Sequence, residues 1–185
     1  HLPEHKFVKG QPETGVEMAE DLERIAMNFG GENIAACIVE PIAGSTGTLV
    51  PPKGYLQRLR EICDKHGILL IFDEVITGWG RTGSAFASHE FGVTPDLMTM
   101  AKATTNGVVP MGVVACKDEI YDAVMDASPM GSVELFHGYT YSGIPVAVAA
   151  GLAVQDIFEK EDIFNRAKNL APYFQKGLFS LQDLE

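Results

Sequence analysis

The sequence predicts an α/β domain in which helices flank a mainly parallel sheet. Three observations predict it. Continuous apolar runs of strand length alternate with segments of helical spacing along the chain. The runs lack the apolar–polar alternation of a half-exposed strand, and glycines close the helical segments. Strand, helix, strand in that order is the signature of parallel pairing with helical crossovers.

Residues 16–27 place Val16, Ala19, Leu22, Ile25 and Ala26 at helical spacing, and Gly30-Gly31 stops the run. Residues 34–40 form an unbroken apolar run ending at Glu40 and closed by Pro41, which reads as a strand buried on both faces. A helix follows over 55–66, with Leu56, Leu59, Ile62 and Cys63 on one side and Gly67 as its stop. Residues 68–75 read as a second buried strand. Two more are expected over 96–101 and 111–116, divided by the turn signal Asn106-Gly107. Helices are expected over 117–125, 145–159 and 163–178. There is no internal repeat. The lead-in is polar and uncapped and residues 180–185 carry no stop signal, so a piece of a longer protein is expected.

A chain of 185 residues, 46% hydrophobic and 21% charged, is long enough for one well-buried core. That composition excludes a disordered tail, a collagen repeat and a disulfide scaffold. Fourteen Lys and Arg against 25 Asp and Glu give a net charge of −11. Nucleic acid and anionic membranes, which require a basic face, are excluded as partners. Cys37, Cys63 and Cys116 are odd in number and form no C-x-x-C pair, which predicts free thiols in a reducing compartment. No signal peptide is visible, and the apolar stretches at 68–72 and 144–154 fall short of the ~20 residues a membrane span needs. The chain reads as cytoplasmic.

Ligands of open parallel sheets bind at the carboxyl ends of the strands. Glu40 ends the first strand, Asp73 and Glu74 the second, and Lys102 the third. A charge adjoining a buried strand is costly unless something compensates it. One reading is a structural salt bridge between Asp73 and Lys102. The other is a cofactor that needs both groups. Pyridoxal phosphate does: its aldehyde condenses with a lysine, and a carboxylate keeps its pyridine nitrogen protonated.

Two glycine motifs compete for attention. Gly78-Trp-Gly-Arg-Thr-Gly83 matches the dinucleotide fingerprint, but Glu74 to Thr77 separate it from the strand and Asp96 begins the next strand instead of ending it. Gly44-Ser-Thr-Gly47 lacks the Gly-Lys-Ser/Thr ending of a phosphate loop. Glu40, Asp73 and Glu74 are suitable Mg²⁺ ligands by type, without an acidic partner at the end of the third strand; no metal is expected.

The ordered set Ile38-Val-Glu-Pro-Ile42, Pro51-Pro-Lys-Gly-Tyr55, Leu70-Ile-Phe-Asp-Glu-Val-Ile-Thr-Gly78, Gly80-Arg-Thr-Gly83, Phe91-Gly-Val-Thr-Pro-Asp96 and Met98-Thr-Met-Ala-Lys102 resembles the class III (ω-) aminotransferases. These are fold-type I pyridoxal-phosphate enzymes, and the resemblance covers nearly the whole chain. Phe136-His-Gly-Tyr-Thr-Tyr-Ser142, followed by Pro145, resembles the β-alanine (ω-amino acid):pyruvate branch.

The resemblance implies that Lys102 binds the cofactor aldehyde and shuttles the substrate proton, and that Asp73 pairs with the pyridine nitrogen. Val75, two residues beyond Asp73 and so on the same strand face, would pack on the ring. Thr140 would hydrogen-bond the cofactor phosphate of a neighbouring subunit in a homodimer or larger homo-oligomer. Glu40 would lie on the substrate side. Residues 1–160 would be the second half of the cofactor-binding large domain, and 161–185 the helix leading into a small domain. The phosphate-cupping segment and the carboxylate-gripping arginine of the family would lie outside these 185 residues. Trp79, Arg81 and His137 receive no chemistry, and Tyr139 and Tyr141 are expected to pack.

The chain departs from the family at Ala103-Thr104, where relatives often have a glycine and an apolar residue, and at Ile144, where many have a histidine. The expected activity is transfer of an amino group from an ω-amino acid or amine such as β-alanine to a keto acid such as pyruvate, by ping-pong chemistry. The alternatives are a non-catalytic remnant, or an aminomutase or decarboxylase on the same scaffold.

Overall fold

A computed structural model describes residues 2–130, 135 and 137–184. Phe136, the first residue of the branch motif, lies outside them, as do His1 and Glu185 at the ends of the expected domain division. The helix expected over 16–27 is a 3₁₀ turn, Val16–Ala19, leading into α1, Glu20–Phe29. Strand β1 is Ala36–Val39, helix α2 Tyr55–His66 and strand β2 Leu69–Asp73. Helix α3 is Ala87–Phe91, strand β3 Leu97–Met100 and strand β4 Val113–Cys116. Helices α4 (Asp118–Asp126), α5 (Pro145–Lys160) and α6 (Ile163–Phe179) complete the order.

The four strands lie side by side in sequence order. β1, β2 and β3 are parallel, and β4 is antiparallel to β3. The mainly parallel sheet thus holds, with one reversed edge strand. No helix intervenes between β3 and β4, so the chain doubles back. It does so partly through Asn106 (φ 50°) and Gly107 (φ 78°), with the Val108 amide bonded to the Thr105 carbonyl. Left-handed backbone at both central residues is the geometry that an Asn-Gly pair supplies.

The core lies on one face of the sheet. Leu56, Leu59, Ile62 and Cys63 of α2 pack with Leu70 and Phe72 of β2 and with Ala26 of α1. Gly67 caps α2 in the left-handed conformation (φ 69°), as its stop role requires. The expectation that β1 and β2 are buried on both faces is not met: Ile38 is 62% exposed and Leu69 36%. The helices α1 and α2 cover the face that carries Leu70 and Phe72, and alternation turns Ile38 and Leu69 the other way.

Helix α3 has no expectation in sequence. It is five residues long, below the length at which helical spacing is readable, and a tertiary contact holds it. The fully buried Glu74 accepts the amides of Ala87 (2.8 Å) and Ser88 (2.7 Å) in its first turn. Anchoring a helix N-terminus on a carboxylate satisfies donors that would otherwise lack partners.

Asp96 joins the sheet at the other end of the strands. Its carboxylate accepts from the Leu70 amide, Arg60 Nη1 and Lys117 Nζ, each at 2.7 Å. Burial alone pushes this carboxyl up, but the bonds from Lys117, the Leu70 amide and Arg60 outweigh it and hold it below the ordinary aspartate value.

Candidate active site

Glu40, Asp73 and Lys102 lie at or just beyond the carboxyl ends of the parallel strands β1, β2 and β3. Asp73 stands opposite Thr99 of β3, and Thr99 opposite Val114 of β4. Residues in register share a sheet face, so this row lies on the side away from Phe72 and α2. Lys102 follows Thr99 by three residues, about 10 Å of extended chain.

Asp73 is half-buried, and its Oδ1 accepts the Val75 amide at 3.0 Å. That side-chain turn ends the strand. Among the described residues, Oδ2 receives no hydrogen bond. Val75 therefore sits in the turn after β2 and not on the strand, so the same-face argument for its position does not hold. Its place against a ring rests on the family resemblance and on its half-buried position beside Asp73.

Lys102 is exposed and opens the 3₁₀ turn Lys102–Thr104 with φ 46°. Among the described residues it forms no ion pair with Asp73, so the structural salt bridge is not made. A left-handed backbone costs a residue with a Cβ about 1–2 kcal/mol, and here it occurs at the lysine that follows parallel strand β3.

Glu40 is half-buried, and its Oε2 accepts the Gly44 amide at 3.1 Å. The loop it fixes closes through the Ala43–Leu49 bridge. A Cβ at Gly44 would come within 2.8 Å of Ile76 Cδ1, so the loop leans on the segment just past Asp73. The Gly44–Gly47 stretch is thus a tethered loop next to the strand ends.

Glu74 faces away from Asp73 into the α3 anchor, with Thr77 Oγ1 donating to it at 2.8 Å. Adjacent strand-end carboxylates point to opposite sides. Among the described residues, no group of three His, Cys, Asp or Glu side chains is gathered as metal ligands.

Thr140 is placed apart from these groups in sequence, in an exposed turn before α5. It lines a cleft of about 670 Å³ with Pro110, Met111, Gly112 and Ala147. His137 and Tyr139 of the same cleft meet edge to face, ring centroids 4.4 Å apart.

The dinucleotide-like loop opens no helix. A Cβ on Gly80 would strike Phe164, and one on Gly83 would approach Lys168, so α6 packs over it. Within it stands the residue that sequence reasoning passed over. Trp79 lies edge-on to Phe86 (5.0 Å) and stacks on Phe158 (6.0 Å). Its Nε1 donates to Thr104 Oγ1 at 2.9 Å, two residues from Lys102. The departure at Thr104 was the available signal, since a hydroxyl where relatives often carry an apolar group needs a partner when buried.

The aminotransferase class-III family model matches residues 1–185. The chain belongs to the class III aminotransferases. Its sequence is 59% identical over 182 residues to an omega-aminotransferase of Caulobacter vibrioides, covering 98% of this chain and 41% of that one. It is 56% identical to a beta-alanine–pyruvate aminotransferase of Pseudomonas aeruginosa, covering 97% of this chain and 41% of the relative. Among solved structures, a transaminase from the marine bacterium Virgibacillus superposes with a TM-score of 0.86 at 36% identity, over 93% of this chain and 38% of its own. An amine transaminase from an uncultivated Pseudomonas species in its PLP-bound form gives 0.79 at 44% identity, over 84% and 35%. This class III aminotransferase chain therefore spans about two-fifths of the curated relatives it matches. The α/β fold with a mostly parallel sheet is theirs.

Proposed function

We propose that the full-length protein is a pyridoxal-phosphate aminotransferase. It moves an amino group from an ω-amino acid or amine, β-alanine being the reference donor, to a keto acid such as pyruvate. The observation that carries this reading is the pair Asp73 and Lys102, at the ends of adjacent parallel strands and not neutralising each other.

The donor set fits the cofactor. Asp73 has one oxygen fixed by the Val75 amide and the other without a protein donor among the described residues, which suits a protonated ring nitrogen. Lys102 Nζ is accessible to an aldehyde. Val75 would pack beside the ring, Thr140 would donate its hydroxyl to the phosphate in a neighbouring subunit's site, and Glu40 would border the substrate. When bound, the cofactor supplies an electron sink for the substrate carbanion and carries the amino group between the half-reactions. Lys102 Nζ, as a free amine, would take the proton from the amine-bearing carbon of the donor and hold it as an ammonium. Asp73 would pair with the ring nitrogen through the carboxylate oxygen that the Val75 amide leaves unbonded.

Residues 1–160 are read as the second half of the large domain and 161–185 as the lead into a small domain. The full-length protein is read as a homodimer or larger homo-oligomer of the cytoplasm. The exposed Thr140 turn supports the first and three free thiols the second.

The test is direct. The full-length protein is incubated with pyridoxal phosphate, reduced with borohydride and mapped by peptide mass, and β-alanine with pyruvate is assayed for alanine. A label on Lys102 and alanine as product are expected. A label without alanine would point to another reaction on this scaffold, and no label in folded protein to a remnant.

A further inference from the structure

Trp79 (φ 64°) and Lys102 (φ 46°) are both non-glycine residues with left-handed backbone. One hydrogen-bond relay connects them. Trp79 Nε1 donates to Thr104 Oγ1 at 2.9 Å, and Thr104 Oγ1 donates to the Ala101 carbonyl at 3.0 Å. The Thr104 amide donates to the same carbonyl at 3.0 Å. That carbonyl belongs to the peptide bond immediately before Lys102, so two donors from Thr104 fix the plane from which the lysine departs.

We propose that Thr104, oriented by the indole of Trp79, is a positioning residue for Lys102. This rests on the pyridoxal reading of that lysine. Thr104 is 5% exposed, so its hydroxyl answers to the indole and the carbonyl. A threonine hydroxyl has one donor and accepts as well, and the relay uses both capacities. The indole is itself held, edge-on to Phe86 and stacked on Phe158 from α5. The loop thus transmits the rigidity of the aromatic cluster to the peptide before the lysine. Without the relay, the left-handed conformation at Lys102 loses its support, and a smaller fraction of molecules presents Nζ correctly. Apparent cofactor affinity falls with that fraction.

The test uses the full-length protein and pyridoxal phosphate itself. Affinity is read from the visible band of the lysine-bound cofactor, and the rate from borohydride trapping on Lys102. T104V keeps the shape and deletes the hydroxyl, and T104S keeps the hydroxyl. W79F keeps an aromatic ring near Phe86 and Phe158 but deletes the N–H together with the five-membered half of the indole, so its melting temperature is read beside its affinity. Affinity is expected to fall about five- to tenfold in T104V and W79F, the scale of one net hydrogen bond. T104S is expected to stay near the parent, and the double variant to match T104V instead of multiplying the losses.

T104V and W79F with parental affinity and trapping rate would overturn the proposal. So would a loss in T104V that T104S fails to restore and that tracks melting temperature, since that is packing alone. If T104V does not fold, W79F against the parent decides. If the parent itself takes no label on Lys102, the pyridoxal reading fails first and the proposal with it.

Discussion

The amide of Val75 donates to Oδ1 of Asp73 at 3.0 Å, and this single bond both ends β2 and aims the carboxylate. An amide side chain can accept the same bond without the charge. Asp73→Asn is therefore expected to shift the melting temperature of the full-length protein by no more than a few degrees. Its rate in the proposed transamination should fall at least a hundredfold, about 2.7 kcal/mol. Steady-state rates beside a thermal melt check this; a large melting shift would make Asp73 structural.

Glu74 has a different fate one residue later. It is fully buried, and Glu74→Ala would leave the Ala87 and Ser88 amides and the Thr77 hydroxyl without their acceptor. We expect a loss of about 3 kcal/mol or more. Glu74→Gln, which keeps an acceptor, should lose less. Urea unfolding of both variants measures the difference.

Asp96 makes an acid-sensitive joint between β2, β3 and β4. Its carboxyl is held below the ordinary value, so its contribution to stability is complete above the unfolded aspartate value of about 4. It is lost as pH falls through the folded-state value. Asp96→Asn should be less stable at pH 7 and show a shallower decline between pH 5 and pH 2. Urea midpoints across that range test it, and parallel curves for parent and variant would contradict it.

Cys37 and Cys63 form an unequal thiol pair across β1 and α2. A hydrogen bond from Cys63 lowers Cys37 to about 7, while that same bond and burial push Cys63 up. Alkylation of Cys37 in the folded protein should show a midpoint near that value and leave Cys63 unmodified. Cys63→Ala should move the midpoint toward the ordinary thiol range. Mass-mapped labelling against pH is the measurement.

Gly151 of α5 lies close to the Lys102 turn without needing to be glycine. A Cβ there would sit 3.6 Å from the Thr104 carbonyl and 3.8 Å from Met111 Sδ, ordinary contact distances. Gly151→Ala should raise stability by about 0.5–1 kcal/mol through helix propensity and leave cofactor uptake unchanged. A denaturation midpoint that drops would show that the contact is tighter than this geometry.

By itself the sequence determined the alternation of strands and helices, the glycine stops and the strand-end positions of Glu40, Asp73 and Lys102. Those features are local, written in apolar runs and in the φ preferences of Gly and Asn. Only the tertiary structure decided which way each strand-end group faces. Glu74 turned inward to anchor a five-residue helix that local propensity cannot hold. Val75 left the strand because the Asp73 carboxylate captured its amide. The reversal of β4 and the bond from Trp79 to Thr104 join residues 13 to 25 positions apart in the chain. Partners so separated leave no periodic trace in sequence; they become neighbours only when the sheet has formed and α5 and α6 have packed beside it.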